Sequence, residues 1–272
     1  MAAWSWKVDD PAQNAHLNLR YEPGCWGDLL KGVWAIALAR HLAGQLRGAT
    51  LRVLDPFAGA PTYPLVPGTL ARLEALRTGP AGQDPLVRAL LERVDADRAE
   101  GLASAAHLVQ DTLGPRCELS VFDLDLGRRA AWSTHPGVTL LPIDSGEQAL
   151  AAQADLALVD PYDFQAVWPS LRARLEAQPD APVLIYLFNH APKSANALRD
   201  YRGLRRDLEA ALGPERTLLV GRVPSDALLP RAWHELLLGG PRELLAPLAA
   251  PLRAATTAIA RQLADEGAFE AH

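Results

Sequence analysis

Residues 51–60 read LRVLDPFAGA, and this stretch decides how the rest of the chain is interpreted. An apolar run that contains the β-branched Val53 ends at Asp55, and a turn of small residues with Gly59 follows. This pattern is typical of a buried parallel strand that ends at a ligand crevice. A glycine at that place lets the backbone approach a ligand closely, because it has no Cβ atom. Taken alone, the stretch also fits an ordinary strand-to-helix turn.

The composition is that of a globular protein with no strong charge. The chain has 272 residues, of which 49% are hydrophobic and 22% are charged, and its net charge is -5. These values suit one large domain, or a domain with a subdomain, and they lack the basic excess common in nucleic-acid-binding proteins. No apolar run reaches the roughly 18 residues of a membrane span. The N-terminus has no signal-peptide core.

The two cysteines, Cys25 and Cys117, lie far apart in the sequence and have no metal-ligand spacing. A reducing compartment is the simple interpretation. We therefore expect a soluble, cytoplasmic protein without a metal site. We also expect a monomer or a homodimer. The sequence also contains no P-loop and no nucleophile elbow.

Apolar runs that end at an acidic residue recur along the chain. Four of them are followed by Asp55, Asp123, Asp144 and Asp160. Helical patterns separate these runs, and the runs at 216–222 and 233–238 predict a final strand pair. Strands that alternate with helices form a mostly parallel sheet with helices on both faces. The sequence therefore predicts an α/β fold with a doubly wound sheet, whose ligands bind outside the carboxyl ends of the strands.

A long segment without a strand of this sheet follows the first strand. It contains helical patterns at 68–77, 85–96 and 98–112, whereas a βαβ crossover needs only one helix. We therefore predict a helical insert after the first strand. The predicted division is a main domain of residues 1–63 and 115–272 and an inserted helical subdomain of residues 64–114.

The acidic strand ends are candidate ligand-binding residues. Asp123 comes one strand after the glycine turn if the insert is discounted, where a carboxylate can accept hydrogen bonds from a ribose diol. An exposed loop aspartate is the alternative for Asp123, and Asp125 is a rival for the role. Asp144 could contact the edge of a nucleoside base, or it could cap the next helix. Asp55 could orient the turn or bind an amino group, or it could simply bond nearby backbone.

The turn Asp160-Pro161-Tyr162 is the best catalytic candidate. A carboxylate and a backbone carbonyl that accept the N–H bonds of an aromatic amine would localise the nitrogen lone pair toward an incoming methyl group. A ring such as Tyr162 would stack on a flipped base. The alternative is a strand-to-helix turn in which Pro161 lies near the helix start and Tyr162 packs outward.

Two basic features accompany these carboxylates. Lys31 lies just inside the first predicted helix, for which Asp28 is the expected N-cap. It could pair with a ligand carboxylate, or it could be a solvated surface lysine. A predicted helix further along has an arginine-rich face made of Arg199, Arg202, Arg205 and Arg206. This face could contact phosphates, or its arginines could form ion pairs within the helix.

Three stretches stand out when they are taken together: residues 21–32 (YEPGCWGDLLKG), residues 54–63 (LDPFAGAPTY) and residues 160–162 (DPY). In this order they resemble the opening segment F-H-A-G-N-x-A-D-V-L-K-H, the first motif L-D-T-H-A-G-A-G-x-Y and the catalytic motif D-P-P-Y of one family. That family is RlmJ, the ribosomal RNA large-subunit adenine-N6 methyltransferases. The helical insert fits it too. The chain departs from these motifs at Gly32, Phe57 and Pro61, and it lacks the second proline of D-P-P-Y.

The resemblance implies a Rossmann-like class I methyltransferase fold and S-adenosylmethionine as the cofactor. The cofactor-binding residues that we predict are Lys31, Asp55, Phe57, Gly59, Asp123 and Asp144. Among these, the resemblance implies that Lys31, Phe57 and Gly59 lie near the methionine end, that Asp123 binds the ribose, and that Asp144 lies on the adenine side. It makes Asp160 catalytic, with Pro161 and Tyr162 in the same motif.

The resulting hypothesis is methyl transfer from S-adenosylmethionine to an amino nitrogen of adenine in RNA or DNA, with RNA as the favoured partner. Two alternatives stay open. A small-molecule or protein methyltransferase would suit the acidic net charge. A degenerate methyltransferase-like domain would bind its ligand without turnover.

Overall fold

An eight-stranded sheet forms the centre of the protein in the computed structural model, which describes residues 23–45, 49–97, 99–161, 164–190, 205–225, 232–263 and 268–271. The strands, in chain order, are β1 (Leu51–Asp55), β2 (Thr62–Tyr63), β3 (Leu102–Ala103), β4 (Cys117–Val121), β5 (Val138–Leu140), β6 (Leu156–Val159), β7 (Val183–His190), β8 (Arg216–Pro224), β9 (Ala232–Pro241) and β10 (Ala268–Ala271). β2 and β3 form a separate two-stranded sheet.

Helices cover both faces of the large sheet. In chain order they are α1 (Trp26–Gln45), α2 (Pro67–Thr78), α3 (Pro85–Ala96), α4 (Ala105–Leu113), α5 (Leu126–Ser133), α6 (Gly146–Ala149), α7 (Phe164–Ala177), α8 (205–212) and α9 (Arg242–Gln262). Short 3-10 helices follow α2 and α4, at Pro80–Gln83 and Gly114–Arg116. None of the described helices combines the length and the hydropathy that a membrane crossing requires.

The strand order of the large sheet is β10-β8-β9-β7-β6-β1-β4-β5. The five strands from β7 to β5 are parallel, whereas β9, β8 and β10 pair antiparallel at the other end. The chain winds from β1 to β4 on one side and later to β6 on the other, which makes β1 the switch point of a doubly wound sheet. The fold is therefore the predicted Rossmann-like α/β fold, including the predicted final strand pair.

The central strands are apolar because both of their faces are covered. All four residues of β6 are buried, as are four of the five residues of β1. One hydrophobic cluster packs α1, α3, α4 and α9 on one face of the sheet, and a second packs α7 and α8 on the other. The fully buried Trp34 of α1 donates its indole N–H to Thr256 of α9 at 3.1 Å, so its polar atom is satisfied inside the core.

The segment after β1 forms helices outside the large sheet, as the sequence predicted. α2 and α3 match the expected positions, and α4 begins later than expected because β3 pairs with β2 just before it. α3 and α4 of this segment pack on α1, whereas α2 packs on α3 and α9, all within the first hydrophobic cluster. The division into two domains stays a prediction.

Side-chain caps fix several helix starts. Asp84 accepts hydrogen bonds from the N–H groups of Leu86 at 2.9 Å and Val87 at 3.2 Å, at the start of α3. Asp28 was predicted as the N-cap of the first helix, and this is wrong. α1 begins at Trp26, so Asp28 lies in its first turn, where its carboxylate accepts a hydrogen bond from the Gly24 N–H at 2.9 Å.

Candidate active site

A pocket lies at the carboxyl ends of β1 and β6, beside the first half of β7. Its walls come from the strand ends, from α1, and from the β3 segment that follows the helical insert. The charged residues that line it are Asp28, Lys31, Asp55 and Asp160. Its aromatic lining consists of Phe57, Tyr63 and Tyr186. The doubly wound topology thus places the pocket at the crevice where such sheets bind ligands.

Lys31 and Asp160 form the closest ion pair of this pocket. The Lys31 Nζ lies 2.6 Å from Asp160 Oδ2 and 3.3 Å from Asp28 Oδ1. The side chain of Lys31 is only 16% exposed, so the alternative of a solvated surface lysine is wrong. Burial works to lower the pKa of Lys31, but the charges of Asp160 and Asp28 outweigh it and hold the pKa above its ordinary value.

Asp55 lies beneath this pair at the end of β1. It is 5% exposed, and its Oδ1 accepts a hydrogen bond from the backbone N–H of Phe57 at 3.0 Å. Burial raises the pKa of Asp55 to about 7, against the lowering effects of this hydrogen bond and of the Lys31 charge. Asp55 is therefore a carboxyl group that can exchange its proton near neutral pH. Both the turn-orienting role and the backbone bond expected for it are compatible with this geometry.

The turn that contains Gly59 is hydrogen-bonded to Asp123. Gly59 adopts a left-handed backbone conformation with φ of 64°, and its N–H donates to Asp123 Oδ2 at 2.9 Å. The other oxygen, Oδ1, accepts the Asp125 N–H at 2.8 Å and pairs with Arg128 Nε at 3.0 Å. Asp123 is 8% exposed, so the alternative of an exposed loop aspartate is wrong. Burial raises its pKa, and the Arg128 charge opposes this rise.

Two aromatic side chains hold the same turn. Trp132 of α5 donates its indole N–H to the Gly59 carbonyl at 2.9 Å. The Tyr63 hydroxyl accepts the Ala60 N–H at 3.1 Å. A Cβ atom added to Gly59 would lie 2.0 Å from that hydroxyl. Gly59 is therefore required by both its backbone conformation and the close approach of Tyr63.

Phe57 follows the end of β1, and Asp144 lies in the loop between β5 and α6. The Phe57 ring packs so closely on Gly146 that a Cβ atom there would lie 2.3 Å from it. Asp144 is exposed, and its backbone N–H donates a hydrogen bond to Gln148 Oε1 at 3.4 Å. The alternative that Asp144 caps α6 is wrong by one residue, because Ser145 is the N-cap and accepts the Gln148 N–H at 3.3 Å.

The structure brings together four of the predicted residues in the pocket, and two more beside it. Lys31, Asp55, Phe57 and Asp160 line the pocket itself. Gly59 and Asp123 lie together in the adjoining turn. Pro161 is half-buried next to Asp160. Asp144 stands apart at the exposed loop, and Tyr162 lies outside the described residues, as do Arg199 and Arg202.

Two arginines of the arginine-rich face, Arg205 and Arg206, are described. Arg206 is exposed, and Arg205 forms ion pairs. Arg205 pairs with Glu209 at 3.2 Å, with Glu270, and with the buried Glu235 at 4.0 Å. Arg222 contacts the same Glu235 at 2.8 Å. For Arg205, the ion-pair alternative of the sequence analysis is therefore confirmed.

Tyr186 and its partners were not identified from the sequence. The Tyr186 hydroxyl lies 2.8 Å from His234 Nδ1 and 3.9 Å from Cys25 Sγ, and the Lys31 Nζ lies 4.7 Å from the Tyr186 ring centroid. Burial raises the pKa values of Tyr186 and Cys25, so both stay protonated at neutral pH. The single hydroxyl-bearing side chain in the run VLIYLF at 183–188 was the available signal.

The pocket carries an excess of negative charge. Its described lining has three carboxylates, from Asp28, Asp55 and Asp160, and one ammonium group, from Lys31. Three negative charges and one positive charge leave -2, or -1 when Asp55 is protonated. Such a pocket favours a ligand that brings positive charge to the strand ends.

No protein-family model and no curated protein matches the chain. Among solved structures, protein LPL1258 from Legionella pneumophila str. Philadelphia 1, of the family model DUF519, is similar with a TM-score of 0.67 and 12% identity, over 92% of this chain and 98% of that chain. The N-methyltransferase NodS from Bradyrhizobium japonicum WM9 has a TM-score of 0.33 and 13% identity, over 75% and 97% of the two chains. The likeness to the Legionella protein shows a shared fold.

Proposed function

We propose that the chain is an S-adenosylmethionine-dependent methyltransferase that acts on an amino nitrogen, with adenine in RNA as the favoured substrate. The observation that carries the proposal is the pocket at the switch point of the sheet. There the Asp160 carboxylate lies at the end of a fully buried strand, within an anionic lining. The resemblance of the sequence to adenine-N6 methyltransferases supports the same assignment.

The residues present fit the proposed cofactor by their charge. S-adenosylmethionine carries a sulfonium and an ammonium group, which suit a lining with net negative charge. Its carboxylate would be held by Lys31, which is cationic and whose side chain is 16% exposed in the pocket. The fit predicts that the demethylated product, which has lost the sulfonium charge, binds more weakly than the cofactor.

Asp123 has acceptor capacity left for a ribose hydroxyl. A carboxylate offers about four lone-pair directions, and the protein occupies one on Oδ2 and two on Oδ1. Just beyond Asp123, Leu124 is 75% exposed and offers an apolar surface for an adenine ring. Asp123→Ala should weaken cofactor binding, measured by calorimetry. An unchanged cofactor affinity would indicate that Asp125, and not Asp123, binds the ribose.

When bound, the cofactor supplies an electrophilic methyl group, and the chain supplies position and charge. Asp160 would accept an N–H bond of the substrate amine and stabilise the positive charge that grows on nitrogen. The Pro161 carbonyl would accept the second N–H bond. Methyl transfer requires in-line approach, so the rigid placement of Asp160 by β6 is its main contribution to the rate.

A small-molecule methyltransferase is the second candidate, because specific observations favour it. The net charge of the chain is -5, and the described Arg205 is engaged by three glutamates instead of facing a phosphate. β3 and Tyr63 also close one side of the pocket, which suits a small substrate.

Methyl transfer from tritium-labelled S-adenosylmethionine tests the proposal and separates the candidates. The wild-type protein is incubated with unmodified ribosomal RNA, DNA or a metabolite extract, and each fraction is counted. We expect label in RNA, on the N6 atom of adenine after digestion. Label only in the metabolite fraction would favour the second candidate. Cofactor binding without label in any fraction would indicate a degenerate domain, and the absence of binding heat at millimolar cofactor would refute the proposal.

A further inference from the structure

The ammonium group of Lys31 is hydrogen-bonded to one oxygen, Oδ2, of the carboxylate that the proposed chemistry needs. Its contact to Asp160 Oδ2 is 2.6 Å, which is shorter than its contact of 3.3 Å to Asp28 Oδ1. Among the described residues that line the pocket, Lys31 is the one cationic side chain. Asp160 therefore takes its positive partner from the chain itself, at the place where a substrate amine would donate.

The two ion pairs of Lys31 differ in the elements that carry the acidic partner. Asp28 lies on the same helix, three residues before Lys31, and it is anchored by the Gly24 N–H at 2.9 Å. Asp160 belongs to a different element, 129 positions away, and 33% of its side chain is exposed. Movement between α1 and the end of β6 would therefore lengthen the Lys31–Asp160 contact, whereas the contact to Asp28 lies within one helix.

We propose that Lys31 is a positioning residue that couples the two binding events: the carboxylate of the cofactor draws Lys31 away from Asp160 Oδ2, and the freed carboxylate then binds a substrate amine more tightly. This inference rests on the proposed function. An incoming carboxylate competes for the ammonium group and repels Asp160, because like charges at short range disfavour each other. The coupling is reciprocal, since a shift in one binding equilibrium requires an equal shift in the other. Substrate would therefore bind more tightly to the cofactor complex than to the free protein.

The lysine content of the chain makes the ammonium group directly observable. The sequence has three lysines, Lys7, Lys31 and Lys193, so protein labelled with ¹³C and ¹⁵N only in lysine gives three side-chain NMR signals. Lys31→Arg assigns the signal of Lys31. Without ligand, Asp160→Asn should move that signal. Asp155→Asn is the matched control, because Asp155 pairs with Arg52 just before the start of β6, and it should leave the signal in place.

The decisive comparison uses the cofactor and its decarboxylated analogue. S-adenosylmethionine should move the Lys31 signal of the wild-type protein in the direction that Asp160→Asn produces. Decarboxylated S-adenosylmethionine, which keeps the sulfonium and the amine, should bind without moving it. Cofactor that binds by calorimetry while the Lys31 signal stays in place would overturn the inference and leave the proposed function standing. So would equal movement with both ligands. No binding heat would overturn both.

The substrate side of the coupling is measured with short single-stranded RNA. Saturating demethylated product should raise the affinity of the wild-type protein for oligoadenylate about fivefold or more, the lower end of common coupling factors. Oligouridylate, which has no exocyclic amino group, should show no such rise. In Lys31→Met, the affinity for oligoadenylate should be the same with and without the product. A coupling factor that Lys31→Met leaves intact would overturn the role of Lys31.

Discussion

The buried carboxyl group of Asp55 should lower the stability of this protein as the pH rises from about 4 to about 7. Its pKa is raised from 3.8 to about 7, so between these values the folded protein holds a proton that the unfolded chain releases. The stabilisation is fully present below about pH 4 and is lost as the pH rises through about 7. A rise of about 3 pKa units, at 1.36 kcal/mol per unit, corresponds to about 4 kcal/mol.

Asp55→Asn removes this dependence, because the amide carries no charge at any pH. Its side-chain oxygen can still accept the Phe57 N–H bond that Asp55 Oδ1 accepts at 3.0 Å. The free energy of unfolding of the variant should therefore rise relative to that of the wild-type protein, by up to about 4 kcal/mol between about pH 4 and pH 8. Ion pairs such as Arg52–Asp155 titrate alike in both proteins, so they cancel in the difference.

Urea denaturation at several pH values gives the free energy of unfolding of both proteins. The quantity of interest is the difference between Asp55→Asn and wild type at each pH. Asp144→Asn is the control, because Asp144 is exposed and its difference from wild type should not change with pH in this way. A difference for Asp55→Asn that stays constant from pH 4 to pH 8 would refute the assignment of Asp55 as the group with the raised pKa.

Two further predictions concern stability and are checked by the midpoint of chemical denaturation. Gly59→Ala should destabilise by about 3 kcal/mol, since it combines left-handed strain with a clash against Tyr63. Gly213→Ala, which also has a positive φ and has no atom within 4 Å, should cost only about 1 kcal/mol, and equal losses would exclude the clash. Glu235→Gln should destabilise by about 3 kcal/mol because Glu235 is 1% exposed and bonded to arginine. Glu209→Gln, at 35% exposure, should cost less than about 1 kcal/mol, and a loss as large as that of Glu235→Gln would contradict this reasoning.

The fold was predictable because its signals are local. The apolar run at Leu51–Asp55 forms β1 with the expected bounds, and the helical patterns at 68–77 and 85–96 correspond to α2 and α3. Four of the five parallel strands, β1, β4, β5 and β6, belong to an apolar run that ends in an aspartate. The start of α4 was misplaced because β3 exists only through its pairing with β2. Two residues of apolar sequence do not distinguish a short strand from the beginning of a helix.

The site was predictable as a set of residues, but not as a set of contacts. Lys31 and Asp160 were both selected, for separate roles, and the sequence contains no sign that they touch across 129 positions. Asp123 was assigned to a ligand, and its bonds to Gly59 and Arg128 appear only when two strand ends meet. Such pairings are set by tertiary packing, which local patterns do not encode.

The central claim is that Asp160 carries the chemistry of an S-adenosylmethionine-dependent methyl transfer. The most direct test is the rate of tritiated methyl transfer to RNA by wild type, Asp160→Asn and Asp155→Asn, with cofactor affinity measured on the same samples. Asp160→Asn keeps the shape and removes the charge. It should lower the rate at least about a hundredfold, the scale of losing one preorganised electrostatic contact, while it still binds cofactor. Asp155→Asn should transfer at the wild-type rate. An Asp160→Asn variant that labels RNA as fast as wild type would contradict the account.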